Sequence, residues 1–134
     1  MGVRRELEEN FDYEIVDEFS EHFSMMTEIM EPLIVNLEKE SAFNENVHEL
    51  FRIFHNLKSA SSFLKIEPMI RLSTLVESEL EFLRAQEGPA NQEVISWLLN
   101  ISDMFSIWNE DLKLDNKLTK IKFSLLKLPD MDIN

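Results

Sequence analysis

The stretch HNLKSASSFL, residues 55–64, holds the residues of this chain that are best suited to chemistry. His55 is followed by Lys58 and by small side chains from Ser59 to Ser62. A neutral imidazole is a nucleophile near pH 7, because its unperturbed pKa is about 6.5, and it can hold a phosphoryl group as a phosphoramidate. A neighbouring ammonium would stabilise the charge on the moving oxygens. On these residues alone two interpretations stay open, a phosphoryl-carrying histidine and an ordinary exposed helix face.

Helical periodicity places His55 on the exposed side of its own predicted helix. The apolar stripe of that helix comprises Leu50, Ile53, Phe54, Leu57, Ala60, Ser61 and Leu64. At about 100° per residue, the mean direction of this stripe lies roughly 160° from His55. Ser59 and Ser62 share the side of His55, and the cations Arg52 and Lys58 lie one turn to either side of it. We therefore expect an accessible imidazole that is surrounded by small side chains and has two neighbouring positive charges.

Composition predicts a single helical domain. The chain has 134 residues, of which 44% are hydrophobic, and this is enough for one packed core. Only 2 Gly and 4 Pro are present, which indicates few turns and long elements. We predict an all-α fold, an up-down antiparallel four-helix bundle with an additional C-terminal helix, in one domain over residues 1–134 with its core at about 11–128.

Five helices account for the hydrophobic pattern. They are predicted at about 13–39, 45–63, 68–86, 92–112 and 117–128. The breaks between them are SAFNEN at 41–46, KIEP at 65–68, EGPAN at 87–91 and LDN at 114–116. Pro32 predicts a kink or a break near Glu31, and Pro68 fits the first turn of the third helix. The tail PDMDIN, 129–134, is expected to be frayed.

The first predicted helix has its apolar residues at alternating spacings of three and four. They are Ile15, Phe19, Phe23, Met26, Ile29, Met30, Leu33 and Leu37. Met25, Met26 and Met30 are expected to fill the core rather than to form a binding surface. Trp97 and Trp108 are likewise expected to pack inside the bundle.

A net charge of −13 argues against nucleic acid and against acidic membrane surfaces as partners. The basic residues of KLTKIKFSLLK, 117–127, form only a modest amphipathic stretch in an acidic chain. No segment approaches the roughly 18 apolar residues of a membrane span, and the first residues contain no secretory apolar run. We therefore expect a cytoplasmic protein.

Other constellations offer little chemistry. No Cys is present, which excludes disulfides and thiolate metal sites. His22 and His48 lack a second histidine or cysteine ligand at helical spacing, which disfavours a metal site. With only Gly2 and Gly88, no phosphate-cradling loop is available, so we expect no ATP site and no kinase activity in the chain itself.

The segment ELFRIFHNLKSASSFLKI, 49–66, resembles the signature helix of histidine-phosphotransfer (HPt) domains. In that family a phosphorylatable His is followed by x-Leu-Lys-Gly and small residues. The resemblance is closest to the first domain of CheA-type chemotaxis kinases, which has Phe-Arg ahead of the His, as in FRIFH, 51–55. LSTLVESELEFLR at 72–84 resembles the third helix of that domain, and WLLNISDMF at 97–105 resembles its fourth. The likeness covers about residues 11–112.

The resemblance implies a role for three residues. His55 becomes the phosphorylated residue, through Nε2, and Lys58 becomes the cation beside the phosphoryl group. Glu77 becomes the carboxylate that holds the Nδ1–H of the histidine, which fixes the tautomer and raises the basicity of the attacking nitrogen.

The implied function is that of a phosphocarrier in two-component signalling. The histidine would accept a phosphoryl group from a histidine kinase and pass it to or from the aspartate of a response-regulator receiver domain. The docking surface is expected around Arg52, Ser59 and Ser62. Phe51 and Phe63 lie at its edge, and for these two a core position and a contact position both stay open. No cofactor is expected on this chain, any Mg²⁺ is expected on the kinase or receiver, and the chain is expected to be a monomer.

Three departures from the family pattern keep a second function open. Ser59 stands where the family has Gly after Lys, Thr74 stands where CheA-type domains have a second His, and Lys65 replaces a later Gly. The alternative is a helical interaction module that has kept the HPt fold and is not phosphorylated.

Overall fold

The computed structural model describes residues 1–134, and every regular element is helical. The α-helices are α1 (Val3–Asn10), α2 (Tyr13–Val35), α3 (Glu40–Phe63), α4 (Glu67–Arg84) and α5 (Gln92–Leu114), and 3₁₀ helices lie at Asn36–Glu38 and Phe123–Leu126. Helices α2 to α5 form the predicted bundle, and the last 3₁₀ helix is the additional C-terminal helix, so the all-α fold class is confirmed. No helix is both long enough and apolar enough to cross a membrane.

Helix α2 buries one stripe of side chains against the other helices. Its buried residues are Val16, Phe19, Phe23, Met26, Thr27, Met30 and Ile34. The prediction was wrong for Ile15, Met25 and Ile29, whose side chains are exposed. Val16 and Ile34 are buried instead, on the same face of the helix as Phe23.

Pro32 does not end helix α2. The α-helix continues to Val35 and then tightens into the 3₁₀ helix Asn36–Glu38. Proline lacks an N–H, so one intrahelical hydrogen bond is missing at this point. The remaining bonds hold the helix together, so of the predicted kink or break near Glu31 the break was wrong.

Helix α3 begins at Glu40, so the predicted break over 41–46 was wrong. Phe43 explains the difference, because its side chain is fully buried and packs on Gly88, where an added Cβ would lie 2.2 Å from the ring. Asn46 does not interrupt the helix, because its amide donates to a carbonyl one turn earlier at 2.7 Å.

A tight turn reverses the chain between α3 and α4. Lys65 adopts the left-handed conformation, with φ 59°. The N–H of Ile66 donates to the carbonyl of Ser61 at 3.0 Å, and the N–H of Lys65 donates to that of Ser62 at 3.2 Å. These two bonds form a Schellman motif. Pro68 lies in the first turn of α4, as predicted.

Helices α3 and α4 have the most extensive contact of any helix pair. Ser61 on α3 and Ser73 on α4 are fully buried, and neither hydroxyl has a hydrogen-bond partner. Both small side chains belong to the pair of helices that carries His55 and Glu77.

Residues 117–134, here called the strap, lie along α5 and run in the opposite direction. The indole N–H of Trp108 donates to the carbonyl of Thr119 at 2.7 Å, and that of Trp97 donates to the carbonyl of Leu125 at 2.9 Å. Both Trp side chains are buried, as predicted. The strap is thus hydrogen-bonded to the bundle through its own backbone.

The strap is extended for most of its length, and the prediction of a helix over 117–128 was wrong in extent. Only Phe123–Leu126 form a 3₁₀ turn. In an α-helix the carbonyl of Leu125 would require an N–H from Pro129, which has none. Bonding to the Trp97 indole satisfies this carbonyl instead.

The end of the strap is held rather than frayed, which corrects the prediction for the tail. Met131 is buried, and the amide of Gln86 donates to its carbonyl at 2.8 Å. The same amide accepts from the N–H of Ile133 at 2.7 Å. Asn134 exchanges two hydrogen bonds with the backbone of Glu87, at 2.9 and 2.6 Å. Gln86 and Glu87, which follow α4, therefore provide the hydrogen-bond partners that hold the tail.

Helix α1 was not predicted, and it packs against α2 and α5. Val3 and Leu7 are buried. Arg4 ties the helix to α2 through Asp17 at 3.0 Å and bonds Glu8 at 3.0 Å. Burial alone would lower the pKa of Arg4, but the hydrogen bonds and charges of these two carboxylates outweigh it and raise the pKa above its usual value.

Candidate functional site

His55 stands on the exposed face of α3, and a carboxylate on α4 fixes its ring. Its side chain is 55% exposed, and Nδ1 lies 3.2 Å from Oε2 of Glu77. Because an ionised carboxylate only accepts hydrogen bonds, the contact requires the proton on Nδ1. In the neutral ring the lone pair then belongs to Nε2, which has no hydrogen-bond partner in the protein.

Glu77 is shared between His55 and Lys58. Its second oxygen, Oε1, accepts from Nζ of Lys58 at 2.8 Å. The side chain of Glu77 is only 17% exposed, and the ammonium compensates the charge of its carboxylate. Two side chains one turn apart on α3 therefore converge on one carboxylate of α4. The ammonium of Lys58 lies on the carboxylate rather than directly against the imidazole.

Phe51 and Arg84 form a second link between the same two helices. The ring of Phe51, one turn before His55, lies nearly parallel to the imidazole, with centroids 6.3 Å apart and planes 15° apart. The guanidinium carbon of Arg84 lies 4.0 Å from the centroid of the Phe51 ring. Arg84 also forms an ion pair with Glu81, with an N–O distance of 2.8 Å. The aromatic neighbour of the histidine is thus held by a cation from α4.

Sequence reasoning missed Arg84. It lies two turns after Glu77 on α4, and Phe51 lies one turn before His55 on α3. Along the helix axes these offsets are about 10 Å and about 6 Å, so the register alone does not bring the two residues level. The long side chain of Arg84 reaches the ring of Phe51 in the folded structure, and helical periodicity gave no signal for this contact.

The three expected docking residues all lie on exposed parts of α3. Ser59 and Ser62 are exposed, and Arg52 is exposed with one contact of 3.9 Å to Glu49. None of the three is hydrogen-bonded to the histidine. Phe63, expected at the edge of this surface, is exposed as well, with its ring 5.8 Å from that of Phe11.

The departures from the family pattern have local structural accounts. Thr74 is exposed and donates within its own helix to the carbonyl of Ile70 at 2.6 Å, so it does not join the Glu77 network. Lys65 occupies a left-handed position, which is the conformation that glycine adopts most readily. Ser59 is exposed and small, so it leaves the histidine accessible.

No group of three or more His, Cys, Asp or Glu side chains is arranged to hold a metal ion. His22 and His48 are exposed, and neither has a hydrogen-bond partner in the protein. The three histidines are therefore in different settings, and only His55 has an acidic partner that orders its ring. Chemically, the arrangement offers one accessible ring nitrogen beside a carboxylate–ammonium pair.

Comparison with protein families agrees with this geometry. The model of the Hpt domain matches residues 14–121. Comparison with curated proteins and with solved structures gives no match. Domains of this family carry phosphoryl groups between histidine kinases and response regulators, and they lack an ATP site of their own. The chain therefore belongs to the Hpt domain family, the phosphotransfer modules of two-component signalling.

Proposed function

We propose that the chain is a phosphocarrier whose His55 accepts a phosphoryl group on Nε2 and passes it to or from the aspartate of a receiver domain. The observation that carries this proposal is the 3.2 Å contact between Nδ1 of His55 and Oε2 of Glu77, with the imidazole otherwise exposed. A nucleophile needs a free lone pair and a defined orientation toward its target. The contact with Glu77 supports a free lone pair on Nε2 and a defined orientation of the imidazole ring.

The proposed step is a displacement at phosphorus. The Nε2 lone pair forms the P–N bond while the bond from phosphorus to the leaving oxygen breaks, and the electron pair stays on that oxygen. The leaving oxygen belongs to ADP when a kinase is the donor and to the aspartate when a receiver is the donor. The proton on Nδ1 stays in its hydrogen bond to Glu77, whose charge offsets the positive charge that the ring acquires.

Lys58 is proposed to stabilise the oxygens of the transferred group. Its ammonium is bonded to Glu77, which is itself bonded to His55, so it lies one side chain away from the ring. A lysine ammonium sits on a flexible stem with three donors. It can therefore turn toward a phosphoryl group while it stays near the carboxylate.

Partners are proposed to dock on the α2–α3 side of His55. Arg52 lines a groove of about 450 Å³ between these helices, together with the exposed Met25 and Ile29. Ser59 and Ser62 continue the surface along α3 with small side chains. Exposed apolar side chains, one cation and small neighbouring residues suit the close approach of a folded receiver domain or kinase domain.

Phosphoryl transfer to the purified protein tests this function. The donors are a CheA-type kinase core charged with ATP and, separately, phosphorylated receiver domains from the same source. Intact mass before and after acid treatment measures acid-labile phosphate. We expect label on the wild type and on His22→Gln and His48→Gln, and none on His55→Gln. The two control variants remove the other histidines of the chain, and both are exposed.

The alternative function, a helical interaction module without phosphorylation, makes a different prediction. Receiver domains would bind to the wild type and to His55→Gln with equal affinity, and no donor would label either protein. Label retained on His55→Gln would contradict the assignment of the acceptor residue.

A further inference from the structure

The strap forms a groove with the first turns of α4. Pro68 and Arg71 of α4 line this groove together with Lys120 and Phe123 of the strap. On a helical wheel Arg71 lies about 120° from Glu77, and along the helix axis it lies about 9 Å before Glu77. The groove is thus on a different part of α4 from the carboxylate that contacts His55.

The strap exposes a compact apolar patch on this side. Phe123 is 87% exposed, Leu126 is 41% exposed and Leu128 is 39% exposed. Phe123 and Leu126 line a groove of about 240 Å³ whose opposite wall includes Pro68 and Arg71 of α4. A cluster of exposed apolar side chains beside a concave groove is characteristic of an interaction surface.

The charge around this patch is opposite to that of the molecule. The strap carries Lys117, Lys120, Lys122 and Lys127 and has no acidic residue before Asp130, whereas the whole chain has a net charge of −13. These four lysines are exposed, and Lys120 and Arg71 both line the groove. Glu67 is the one acidic residue in the groove lining. The patch is therefore a local positive surface on an acidic protein.

We propose that this surface, here called the strap surface (Arg71, Lys120, Phe123 and Leu126), docks an acidic segment of a partner protein. An apolar side chain of that segment enters the groove beside Phe123, and its carboxylates face Lys120 and Arg71. Charge complementarity carries the choice of partner, because only an acidic segment is attracted to this patch and repelled by the remaining surface.

A protein segment fits these observations better than a lipid bilayer does. The groove is concave and narrow, with a volume of about 240 Å³, which suits one side chain rather than a flat layer of headgroups. The strongly negative remainder of the molecule would also be repelled over a wide anionic surface.

The strap surface leaves the histidine site free. His55 contacts Glu77 of α4, whereas the α4 residues of the groove, Glu67, Pro68 and Arg71, lie about 9–15 Å nearer the start of that helix. A partner on the strap and a phosphotransfer partner on α3 are therefore expected to bind at the same time. The strap surface is thus a recruiting surface that is independent of the proposed phosphoryl chemistry.

Binding of fluorescein-labelled peptides to the intact protein tests the proposal. The probes carry one Phe or Leu among Asp and Glu residues, and matched probes replace either the apolar residue by Ser or the acids by Lys. We expect saturable binding of the acidic apolar peptides only, weaker at high salt. Phe123→Ser and Lys120→Glu are each expected to raise the Kd about tenfold or more. Lys39→Glu, which changes an exposed lysine outside the strap by the same charge, is expected to leave the Kd within about twofold.

Three results would overturn the proposal. The first is absence of saturable binding, or binding that Phe123→Ser and Lys120→Glu leave unchanged. The second is binding of phosphatidylserine–phosphatidylcholine vesicles without binding of the peptides, which would assign the surface to a membrane. The third is self-association of the wild type in sedimentation that both variants abolish, which would assign it to a second copy. Phosphoryl acceptance by Phe123→Ser is expected to equal that of the wild type. A negative peptide-binding result would therefore leave the proposed role of His55 standing, and a failure of His55 to accept phosphate would leave the strap surface standing.

Discussion

Arg84 lies over the ring of Phe51, with its guanidinium carbon 4.0 Å from the ring centroid. The contact joins α4 to α3 one turn before His55. Together with the contact between His55 and Glu77, it links the two helices at two positions along their length and so fixes how they align. The imidazole therefore rests between an oriented carboxylate and an oriented aromatic ring.

A double-mutant cycle measures this contact. Phe51→Leu and Arg84→Met, made singly and together, are expected to show a coupling of about 0.5–1 kcal/mol in the free energy of unfolding by urea. Arg84 also forms an ion pair with Glu81, so Glu81→Gln is the control, and it is expected to leave the coupling intact. Strictly additive effects of the two changes would show that the cation does not hold the ring.

Loss of the charge of Glu77 is expected to slow phosphoryl acceptance about 10- to 100-fold. Glu77→Gln keeps the size of the side chain and its ability to accept from Nδ1–H, but it no longer offsets charge on the ring. The rate from a charged kinase core measures the effect, and ¹⁵N chemical shifts of the His55 ring report its tautomer. Glu79→Gln, which alters a half-buried neighbour on the same helix, is the matched control. Equal rates for both variants would count against a positioning role for Glu77.

Lys65→Gly is expected to stabilise the protein by about 0.5–1 kcal/mol. The backbone at Lys65 is left-handed, where a Cβ is unfavourable, and the Schellman hydrogen bonds require this conformation. Urea unfolding measures the gain. Lys127→Gly changes an exposed lysine of ordinary φ, −89°, and is expected to stabilise nothing. A loss of stability in Lys65→Gly would show that the lysine side chain contributes more than the backbone strain removes.

Ser73→Ala is expected to raise the free energy of unfolding by about 1 kcal/mol. The hydroxyl of Ser73 is fully buried and has no hydrogen-bond partner, so its removal relieves a desolvation penalty at nearly constant volume. Ser73→Leu adds volume to the packed core and is expected to cost about 2 kcal/mol. Ser62→Ala, an exposed serine, is expected to change stability by less than about 0.5 kcal/mol. If Ser73→Ala destabilises the protein, an unseen water satisfies the hydroxyl.

Gln86→Ala is expected to release the end of the strap. Its amide bonds both Met131 and Ile133, so its loss removes the main polar attachment of the tail. Amide hydrogen exchange of the last four residues is expected to accelerate about tenfold or more, while exchange in α3 stays unchanged. Gln92→Ala, at an exposed glutamine, is the control. An unchanged exchange rate would mean that the burial of Met131 alone holds the tail.

Much of the bundle could be predicted because it rests on local patterns. The buried face of α3, the EGPAN turn before α5 and the first turn of α4 follow from periodicity and from turn chemistry. The exposure of His55 followed from the same periodicity. The juxtaposition of His55 and Glu77 came from a family resemblance, since periodicity alone does not set the register between two helices.

The errors share a cause in tertiary contacts. The segment 41–46 is polar in sequence, yet the burial of Phe43 against Gly88 draws it into α3. The strap has the composition of an amphipathic helix, but two indole N–H groups take its carbonyls and hold it extended. The two indoles lie 11 and 28 residues from the carbonyls that they bond, and sequence periodicity does not show which acceptor each N–H reaches.

The buried serines of α3 and α4 have a consequence for how the site can change. They contribute no chemistry, yet they lie in the interior of the two helices that carry His55 and Glu77. A bulkier side chain at Ser61 or Ser73 would have to displace one of these helices, because a packed core does not accommodate added volume freely. The distance between the imidazole and its carboxylate can thus change through core substitutions that leave both residues in place.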